Sequence, residues 1–600
     1  MKKKWRIFKV ALLVSIICLL LPLMASAEKY PGWNFDKDNP APKWFDWGKD
    51  YWSTEPVRGG TYRTAAFKYI GLLNPHHWPV NDFVTMSYIY ERPMWADGTH
   101  KPNAMWMAES WKYTGSTSAI VKIRKGIQFH DGSDFNAAGL KYMIEWMTDK
   151  RNGAWSISLY GPVKKMEVID EYTLGFEFKR PWANFPGTLQ FTAIVSPAAL
   201  KKDVAYANMG KLEKKLKTLK KKLGKAEKKG QAKKIKKLSK QVAKAEKQIA
   251  KTKERLKGFI PIDKMAVGSN QFMVEEGRPG NYLLLKRNPN WWFGKSIGRP
   301  EMPYFDKWKV TVIPDASIHL ANLRANKLDT IAVDPSQYRI VKNDPKLNVR
   351  VNPVNSMHGL RFNHKRKVFQ DIRVRKAISH AIDRKALIHG VHLGLGREAS
   401  ALYPGDHWGH NPDLQPVKYD PELSKKLLAE AGYADGLTLT GLYWNYPISL
   451  SEATAMKSML KKVGVDWQVE HVELAAFTDK SRNLEYDLAA LSLNWIWDPD
   501  VAATALYHSD GAFNNGRFSN KEVEKLIVDG RSELDIVKRQ KIYHQIEEII
   551  YKNYYDVWTR WSVSVEASRK NVYGHNQKLD LLGKEGFWYS HPLWFKDGKP

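Results

Sequence analysis

The chain has 600 residues, of which 43% are hydrophobic and 12% aromatic, enough for several compact lobes; this composition excludes a largely disordered protein. Cys18 is its single cysteine, so disulfides and thiol chemistry are excluded downstream of it. The net charge of +32 is concentrated in residues 211–257, with 21 Lys or Arg and 4 Asp or Glu, and in five cations near the N-terminus. The remaining +10 describes a moderately basic body, which does not predict a nucleic-acid partner.

The N-terminal 27 residues have the three parts of a secretory signal peptide. A basic segment, MKKKWRIFK, precedes an apolar run over residues 10–24 and the small-residue pattern Ala-Ser-Ala. We expect cleavage after Ala27 and a periplasmic location, with an uncleaved membrane anchor as the alternative. The apolar run is short for a membrane span and is interrupted by Pro22. Residues 28–58 are rich in Trp and Pro without periodicity and predict an extended N-terminal arm.

Regular structure is predicted to begin at residue 59. The segment AIVKIRKGIQFHDG predicts a strand closed by a turn, in which His130 and Asp131 supply turn chemistry and not a catalytic pair. A helix follows, with Asn136 as its N-cap and apolar residues at helical spacing as far as Met147.

Residues 209–257 have a pattern of their own. Apolar residues recur at steps of three and four from Leu212 to Ala226 and again from Ile235 to Ile249, around a break at KKGQAKK. This spacing predicts a lysine-rich antiparallel helical hairpin, a coiled coil with a narrow apolar seam. We interpret its lysines as a solvated surface, with docking on an anionic surface or an acidic partner as the alternative.

Beyond the hairpin, strand-like and helix-like segments alternate to the C-terminus. Asp371 is placed to cap the helix in DIRVRKAISHAIDRKALI, and Asp420 followed by Pro421 opens the helix that ends in LLAEAGY. Ser519 and Glu522 predict a capping box before EVEKLI. The alternation predicts α/β lobes.

Several segments follow one another along the chain in a characteristic order, including GGTYRTA, VKIRKGIQFHDGSDFNAAGLKYMIE, LRFNHKRKVFQDIRVRKAISHAIDRKALI, YDPELSKKLLAEAGY and YDLAALSLNWIWDP. Together they resemble the peptide/nickel-type solute-binding proteins of ABC transporters, called family 5, which include dipeptide- and oligopeptide-binding proteins. The resemblance spans residues 59–575 apart from the lysine-rich insertion. It implies an α/β, two-lobed periplasmic binding protein of type II that captures a small organic solute between its lobes and delivers it to a permease.

The resemblance also implies a domain organisation. Lobe I would comprise residues 59–79, 169–325 and 562–600, with the hairpin inserted at 209–257. An extra small lobe would occupy residues 80–168, and lobe II would occupy residues 326–561.

The same resemblance directs attention to the segment NWIWDPD. In peptide-binding relatives, a carboxylate three places before the Asp-Pro pair holds the amino terminus of the ligand. Trp495 stands in that position here, or Ile496 if the loop carries a gap, so peptide recognition in the usual way is not expected. Trp495 and Trp497 are predicted to stack on a sugar ring or a cation, with Asn494 as a hydrogen-bonding group and Asp498 as the acid if one is required. Packing of one of these Trp residues in the core is the alternative.

Two further segments are candidates for the cleft. Trp444, Asn445 and Tyr446 follow a predicted strand in GLYWNYP. Arg560 and Trp561 lie near the implied return to lobe I, where the guanidinium would hold an anionic group of the ligand.

The sequence contains no motif of nucleophilic, metalloprotease or phosphate-binding chemistry, so we expect no enzyme, cofactor or metal site. Peptides, oligosaccharides and opine-like or aromatic solutes remain open as ligand classes. A polyanion-binding interaction protein and an enzyme evolved on this scaffold are the competing hypotheses. The expected partners are the ligand and the permease subunits, with no nucleic acid, and the chain is expected to be a monomer.

Overall fold

The computed structural model describes residues 55–69, 71–77, 88–95, 101, 104–296, 298–494, 498–574 and 593–600. The predicted signal peptide, nearly all of the predicted arm, and residues 495–497 with their two Trp side chains lie outside these ranges. Among the described residues, no helix has both the length and the apolar character needed to cross a membrane.

The strands are β1 Thr61–Ala66, β2 Met94–Trp95, β3 Ala104–Met105, β4 Ala108–Gly115, β5 Ser118–Ile123, β6 Val163–Asp170, β7 Thr173–Phe178, β8 Phe272–Arg278, β9 Tyr282–Arg287, β10 Lys307–Val312, β11 Thr330–Ala332, β12 Leu347–Phe362, β13 Arg397–Glu398, β14 Leu437–Trp444, β15 Val465–Val472, β16 Leu488–Leu493, β17 Asp556–Arg569, β18 Val572–Tyr573 and β19 Trp594–Phe595. The helices are α1 Ala137–Thr148, α2 Phe185–Gln190, α3 Pro197–Glu227, α4 Ala232–Arg255, α5 Trp292–Ser296, α6 Ala316–Arg324, α7 Tyr338–Val341, α8 Ile372–Ala381, α9 Arg384–Gly390, α10 Pro421–Glu430, α11 Pro447–Lys461, α12 Leu474–Arg482, α13 Pro499–Tyr507, α14 Lys521–Ser532 and α15 Ile536–Lys552.

Eleven strands form one continuous sheet in the order β15-β14-β16-β12-β17-β11-β1-β10-β9-β8, with β13 paired to β17 beside this path. The two long strands β12 and β17 are antiparallel, and their register is interrupted between Pro353 and Met357. On one side of this register break the sheet continues through β11, β1, β10, β9 and β8, called here the first sheet half. On the other side it continues through β16, β14 and β15, called the second sheet half.

Each sheet half has an apolar core of its own, as expected when two layers of structure bury their apolar faces against each other. The first half shares an aromatic-rich core with a small sheet of order β4-β5-β7-β6, where Trp111 and Phe185 are buried. In the second half, α8, α10 and α11 contribute side chains such as Ile378 and Met456 to one core, and α13, α14 and α15 contribute to another. The predicted α/β architecture is confirmed.

Helix caps predicted from the sequence are confirmed at three positions. The side chain of Asn136 accepts a hydrogen bond from the Gly139 amide at the start of α1. Asp371 caps α8, and Asp420 caps α10 with Pro421 in its first turn. These short polar side chains satisfy backbone N–H groups that have no partner within the helix.

The capping box predicted at Ser519 is wrong by one residue. Asn520 is the N-cap of α14, and its side chain accepts hydrogen bonds from the amides of Glu522 and Val523. Asn ranks with Ser as a cap, and here its oxygen reaches two backbone donors, so the helix begins one residue later than predicted.

The turn predicted at His130 is confirmed. His130 Nε2 lies 2.9 Å from the carbonyl oxygen of Asn270, and the carboxylate of Asp131 accepts a hydrogen bond from the Ser133 amide. Gly132 completes the turn with a φ of 79°, in the region that favours glycine. His130 and Asp131 therefore hold a turn and the loop beside it.

The lysine-rich segment forms α3 and α4 as an antiparallel pair. Lys220 lies 2.7 Å from Glu246, and Lys253 lies 2.9 Å from Glu213, so opposite ends of the two helices meet. The first helix extends further toward the N-terminus than the predicted start at residue 209. It begins at Pro197 after the Ser196 cap, because the helical pattern continues from the body of the protein into the insertion. The apolar seam is buried along α4, at Leu238, Val242, Ala245 and Ile249.

Candidate functional site: two facing strand edges

The carboxyl ends of three strands lie together at one edge of the second sheet half. β14 is parallel to both β15 and β16, so Trp444, Val472 and Leu493 end their strands at the same edge. Leu493 is paired with Met357, directly beside the register break. This edge therefore points at the break.

The first sheet half presents the corresponding edge from the other side. β1 is parallel to β10 and β11. β11 runs from Thr330, opposite Ser568, to Ala332, opposite Glu566, and so its carboxyl end also points at the break. Ligands of open α/β sheets bind in the crevice outside the carboxyl ends of the strands. The crevice between these two edges, called here the cleft, is the candidate functional site.

Asn494, predicted as a ligand-binding residue, lies at this edge directly after β16. Its side-chain oxygen accepts a hydrogen bond of 2.8 Å from Ser356 Oγ, which belongs to the interrupted part of β12. Ser356 Oγ is also 3.1 Å from His358 Nε2. Asn494 is exposed and Ser356 is half-buried, so both present polar atoms where the two sheet halves meet.

Arg560, the second predicted polar residue, is buried in a charged cluster beneath this edge. Its Nε donates a 3.1 Å hydrogen bond to Glu452 on α11, and His392 Nε2 lies 3.3 Å from the same carboxylate oxygen. Burial and the charge of Arg560 lower the pKa of His358 to about 3, so this imidazole is neutral at pH 7. Burial alone would raise the pKa of Glu452, but His392 and Arg560 outweigh it and hold that pKa below its usual value.

Arg560 is already paired with protein groups, which bears on its predicted role in holding an anionic group of the ligand. The guanidinium is 6% exposed, and besides Glu452 it donates a 2.6 Å hydrogen bond to Ser562 Oγ. A charge already paired in this way does not supply a free cation for an anionic ligand group. Arg560 instead stabilises the buried residues under this edge of the second sheet half, where β17 passes beneath it.

Aromatic and apolar side chains line the same edge of the second sheet half. Trp444 is half-buried against Phe477, with ring centroids 5.0 Å apart, and Tyr446 is 46% exposed. Leu474 is 49% exposed, and with Trp444 it lines a groove of about 180 Å³ that runs along β16 toward Phe513, near the amino end of that strand. Trp444 and Tyr446 are thus positioned at the predicted edge, one against the core and one toward solvent.

Two other residues predicted to bind ligand are buried in the interior. Asp498 is fully buried and pairs with Arg539 through hydrogen bonds of 2.6 and 2.8 Å, while it also caps α13. Trp561 is 2% exposed and belongs to the core formed with α13, α14 and α15. Both side chains stabilise the lobe, because a paired carboxylate and a packed indole leave no group directed at the cleft. Trp495 and Trp497 lie outside the described residues.

Sequence reasoning missed several residues that the fold brings to this edge. Ser356 and His358 come from a strand with no motif, and Glu452 lies within an ordinary amphipathic helix. Glu473 follows β15 directly, is exposed, and lies 3.5 Å from the Asn445 side chain. The signal for Glu473 was its position just after an apolar strand, because functional side chains are often found at the carboxyl ends of parallel strands; Asn445 was predicted on that ground. Among the described residues, no group of three or more His, Cys, Asp or Glu is arranged to hold a metal ion.

Two α/β lobes that share a sheet through two crossing strands, with their carboxyl edges facing, define a type II periplasmic binding protein. A family model described as "Bacterial extracellular solute-binding proteins, family 5 Middle" matches residues 104–516. The chain belongs to this family of solute-binding proteins, and it is the substrate-binding component of an ABC importer. The predicted family, fold class and general function are confirmed, and the family's role is that of a non-enzymatic transport component.

Similar proteins cover most of the chain. The dipeptide-binding protein of Escherichia coli (strain K12) is 24% identical over 514 residues, which are 80% of this chain and 84% of that protein. The structure of the oligopeptide-binding protein AppA from Bacillus subtilis, in complex with a nonapeptide, superimposes with a TM-score of 0.66 and 22% identity over 90% of this chain and all of that one. The ABC transporter substrate-binding protein CtaP from Listeria monocytogenes gives a TM-score of 0.72 at 18% identity, with 90% of this chain and 100% of that chain covered.

Proposed function

We propose that the protein is exported to the periplasm after cleavage behind Ala27, binds a peptide-like or other small organic solute in the cleft, and delivers it to its permease as a monomer. The observation that carries this proposal is the meeting of two carboxyl edges across the register break of β12 and β17. A solute held between both edges loses water on all sides, and it favours the closed over the open arrangement of the lobes.

The register break also supports a division into lobes. We place the first crossing between Pro353 and Met357, later than the sequence-based boundary at 326, because β11 pairs with β1 in the first sheet half. The return crossing falls between Trp561 and Val563, beside the sequence-based boundary at 561/562. The small lobe extends through β7, beyond residue 168, because β7 pairs with β5 and β6.

The ligand class follows from which charges at the second edge are already paired. Glu452 and Asp498 are bound to Arg560 and Arg539, so neither is available to hold an ammonium group. Glu473 is the exposed carboxylate at this edge, and it is our candidate for a ligand's positive group. Exposed Tyr446 and Leu474 favour a solute with an aromatic or apolar body.

An oligosaccharide is the second candidate. It is favoured by Tyr446 at the edge and by the two Trp residues of the segment NWIWDPD, since flat aromatic faces stack on sugar rings. Because the E. coli relative is a dipeptide-binding protein and the B. subtilis structure holds a nonapeptide, peptides remain the first class to test.

Native mass spectrometry of protein purified from an exporting host identifies the bound solute directly. Calorimetric titration with short peptides and with oligosaccharides then ranks the two classes. For Trp495→Ala we expect affinity to fall by about 1–3 kcal/mol with little change in the unliganded melting temperature. Its matched control is Trp561→Ala, a buried indole whose loss should cost about 3–5 kcal/mol of stability.

Glu473→Gln separates the two ligand classes further. A peptide whose amino terminus is held by this carboxylate loses affinity in the variant, whereas a neutral sugar binds as before. Unaltered affinity in both Trp495→Ala and Glu473→Gln would contradict recognition at the second edge. A protein that binds neither class, even after unfolding and refolding to remove endogenous solute, would contradict the proposed function.

A further inference from the structure

The charges of the helical hairpin are segregated by face. The two ion pairs between α3 and α4, Lys220 with Glu246 and Lys253 with Glu213, lie on one side of the apolar seam. A helix turns about 100° per residue, so Glu227 falls on this same side, whereas Glu254 points directly away from the seam. Three of the four carboxylates of residues 211–257 therefore belong to one face, and the fourth lies at the outer edge of the hairpin.

The opposite face carries cations alone. The same helical geometry places nine residues there, called here the basic face: Lys211, Lys215, Lys222, Lys225, Lys234, Lys237, Lys244, Lys251 and Arg255. A groove of about 570 Å³ at its base is lined by Lys211 and Lys215 from α3 and by Arg255 from α4, which shows that these sides of the two helices adjoin. All nine side chains are exposed, and none lies within ion-pair distance of a carboxylate of the described residues.

The basic face is long, even and without apolar anchors. The 24 residues of α4 give it a length of about 36 Å. The apolar seam is buried between the helices, and the large exposed hydrophobic residues of the described chain include none between Lys211 and Arg255. A protein partner would usually require buried aromatic or aliphatic anchors, and insertion into a bilayer would require an exposed apolar stripe. Binding to an extended, flat anionic surface requires neither apolar anchors nor an exposed apolar stripe.

We propose that the basic face docks the protein on the surface of an anionic phospholipid bilayer. Lysine ammonium groups near such a surface are attracted additively to lipid phosphates without insertion, and the attraction extends over a Debye length. Docking holds the protein beside the membrane that contains its permease, which shortens the search between ligand capture and delivery. The acid-bearing face is then directed away from the bilayer, where its carboxylates are not repelled.

Vesicle co-sedimentation of the mature full-length protein tests this proposal. The probes are vesicles of phosphatidylcholine with phosphatidylglycerol and vesicles of phosphatidylcholine alone. The test variant replaces Lys222, Lys225 and Lys237 of the basic face with Gln. The matched control replaces Lys217, Lys236 and Lys247, which are also exposed and remove the same charge from positions outside the basic face.

We expect binding to phosphatidylglycerol vesicles and not to phosphatidylcholine. The basic-face variant should bind roughly tenfold more weakly or worse, and the control should stay within about threefold of the unmodified protein. Raising the salt from about 0.1 M to 1 M shortens the Debye length from about 10 to 3 Å and should release the protein.

Three results would overturn the proposal: no binding to phosphatidylglycerol vesicles in low salt, equal losses in the two variants, or binding that persists at 1 M salt. Binding to a soluble polyanion such as heparin with no vesicle binding would assign the face to polyanions. Solute affinity measured by calorimetry on the same variants stays unaltered in every case, so failure of membrane docking is distinguishable from failure of the cleft.

Discussion

Two buried glutamates, one in each half of the molecule, are held in opposite ways. Glu91, in the core of the first sheet half, accepts hydrogen bonds of 2.8–3.2 Å from the indoles of Trp106, Trp291 and Trp292, and a 2.9 Å bond from Ser269 Oγ. Glu452, beneath the cleft, is held by Arg560. Burial outweighs the neutral donors and raises the pKa of Glu91 to about 7, whereas cationic neighbours keep that of Glu452 low.

The difference teaches that neutral hydrogen-bond donors alone do not offset the desolvation of a carboxylate. Four such donors leave Glu91 close to half-protonated at pH 7, while the hydrogen bond with His392 and the charge of Arg560 together keep Glu452 ionised. The two sites therefore respond to pH with opposite sign. The second arrangement suits the base of a ligand cleft, because the Glu452 carboxylate stays ionised at pH 7.

The largest expected effect on stability comes from removing the guanidinium of Arg560. Arg560→Met leaves Glu452 buried without its guanidinium, and we expect the free energy of unfolding at pH 7 to fall by about 3–5 kcal/mol. Urea denaturation followed by tryptophan fluorescence measures it. The double variant Arg560→Met, Glu452→Gln should recover much of the loss, and a single-variant cost below about 1 kcal/mol would contradict the pairing.

The next effect is the pH dependence introduced by Glu91. Its pKa rises on folding from 4.5 to about 7, so the protonated form is favoured in the folded state. The stability it contributes is complete below pH 4.5 and is lost as the pH rises through 7, by roughly 3 kcal/mol in total. Unfolding of the wild type and of Glu91→Gln, measured from pH 4 to 8, should show this loss in the wild type only. Parallel pH profiles would show that Glu91 does not titrate in this range.

The stability that Glu452 contributes should depend on pH in the opposite direction. Its pKa is lowered on folding, so its stabilising contribution is present above its unfolded pKa of about 4.5 and is lost as the pH falls. Glu452→Gln should therefore cost about 1.5–3 kcal/mol at pH 7, the contribution of hydrogen bonds to charged groups. The gap between wild type and variant should narrow below pH 4.5 and stay level above pH 5. A gap that widens on acidification would contradict the ion pair.

The smallest effect on stability is expected from removing one of the indole groups that donate hydrogen bonds to Glu91. Trp292→Phe removes hydrogen bonds of 2.9 and 2.8 Å to Glu91 while keeping an aromatic ring, at a cost of about 0.5–1.5 kcal/mol. Because these donors favour the ionised form, the midpoint of the Glu91 pH dependence should move to higher pH. Trp594→Phe is the matched control, since Trp594 is equally buried but packs against Tyr304 and Tyr573, and it should leave the midpoint unchanged.

Much of the fold could be predicted because its signals are local. Caps such as Asn136 and Asp420 act within one helical turn, and the hairpin seam repeats at helical spacing. Both features therefore depend only on residues that are close together in the sequence. The segments that resemble family 5 carried the two-lobed fold and the transport function in the same way. The exact start of α14 was missed, because Ser519 and Asn520 are both good caps and only packing selects between them.

The sequence by itself therefore determined the fold class, the lysine-rich hairpin and the class of function. Only the tertiary structure decided which polar residues at the cleft are available to a ligand. Asp498 and Arg560 were plausible contacts until folding paired them with Arg539 and Glu452, partners 41 and 108 residues away along the chain. The physical reason is that a carboxylate or guanidinium has the same chemistry in every sequence, and its charge is free or neutralised according to neighbours that strand register and helix packing bring together.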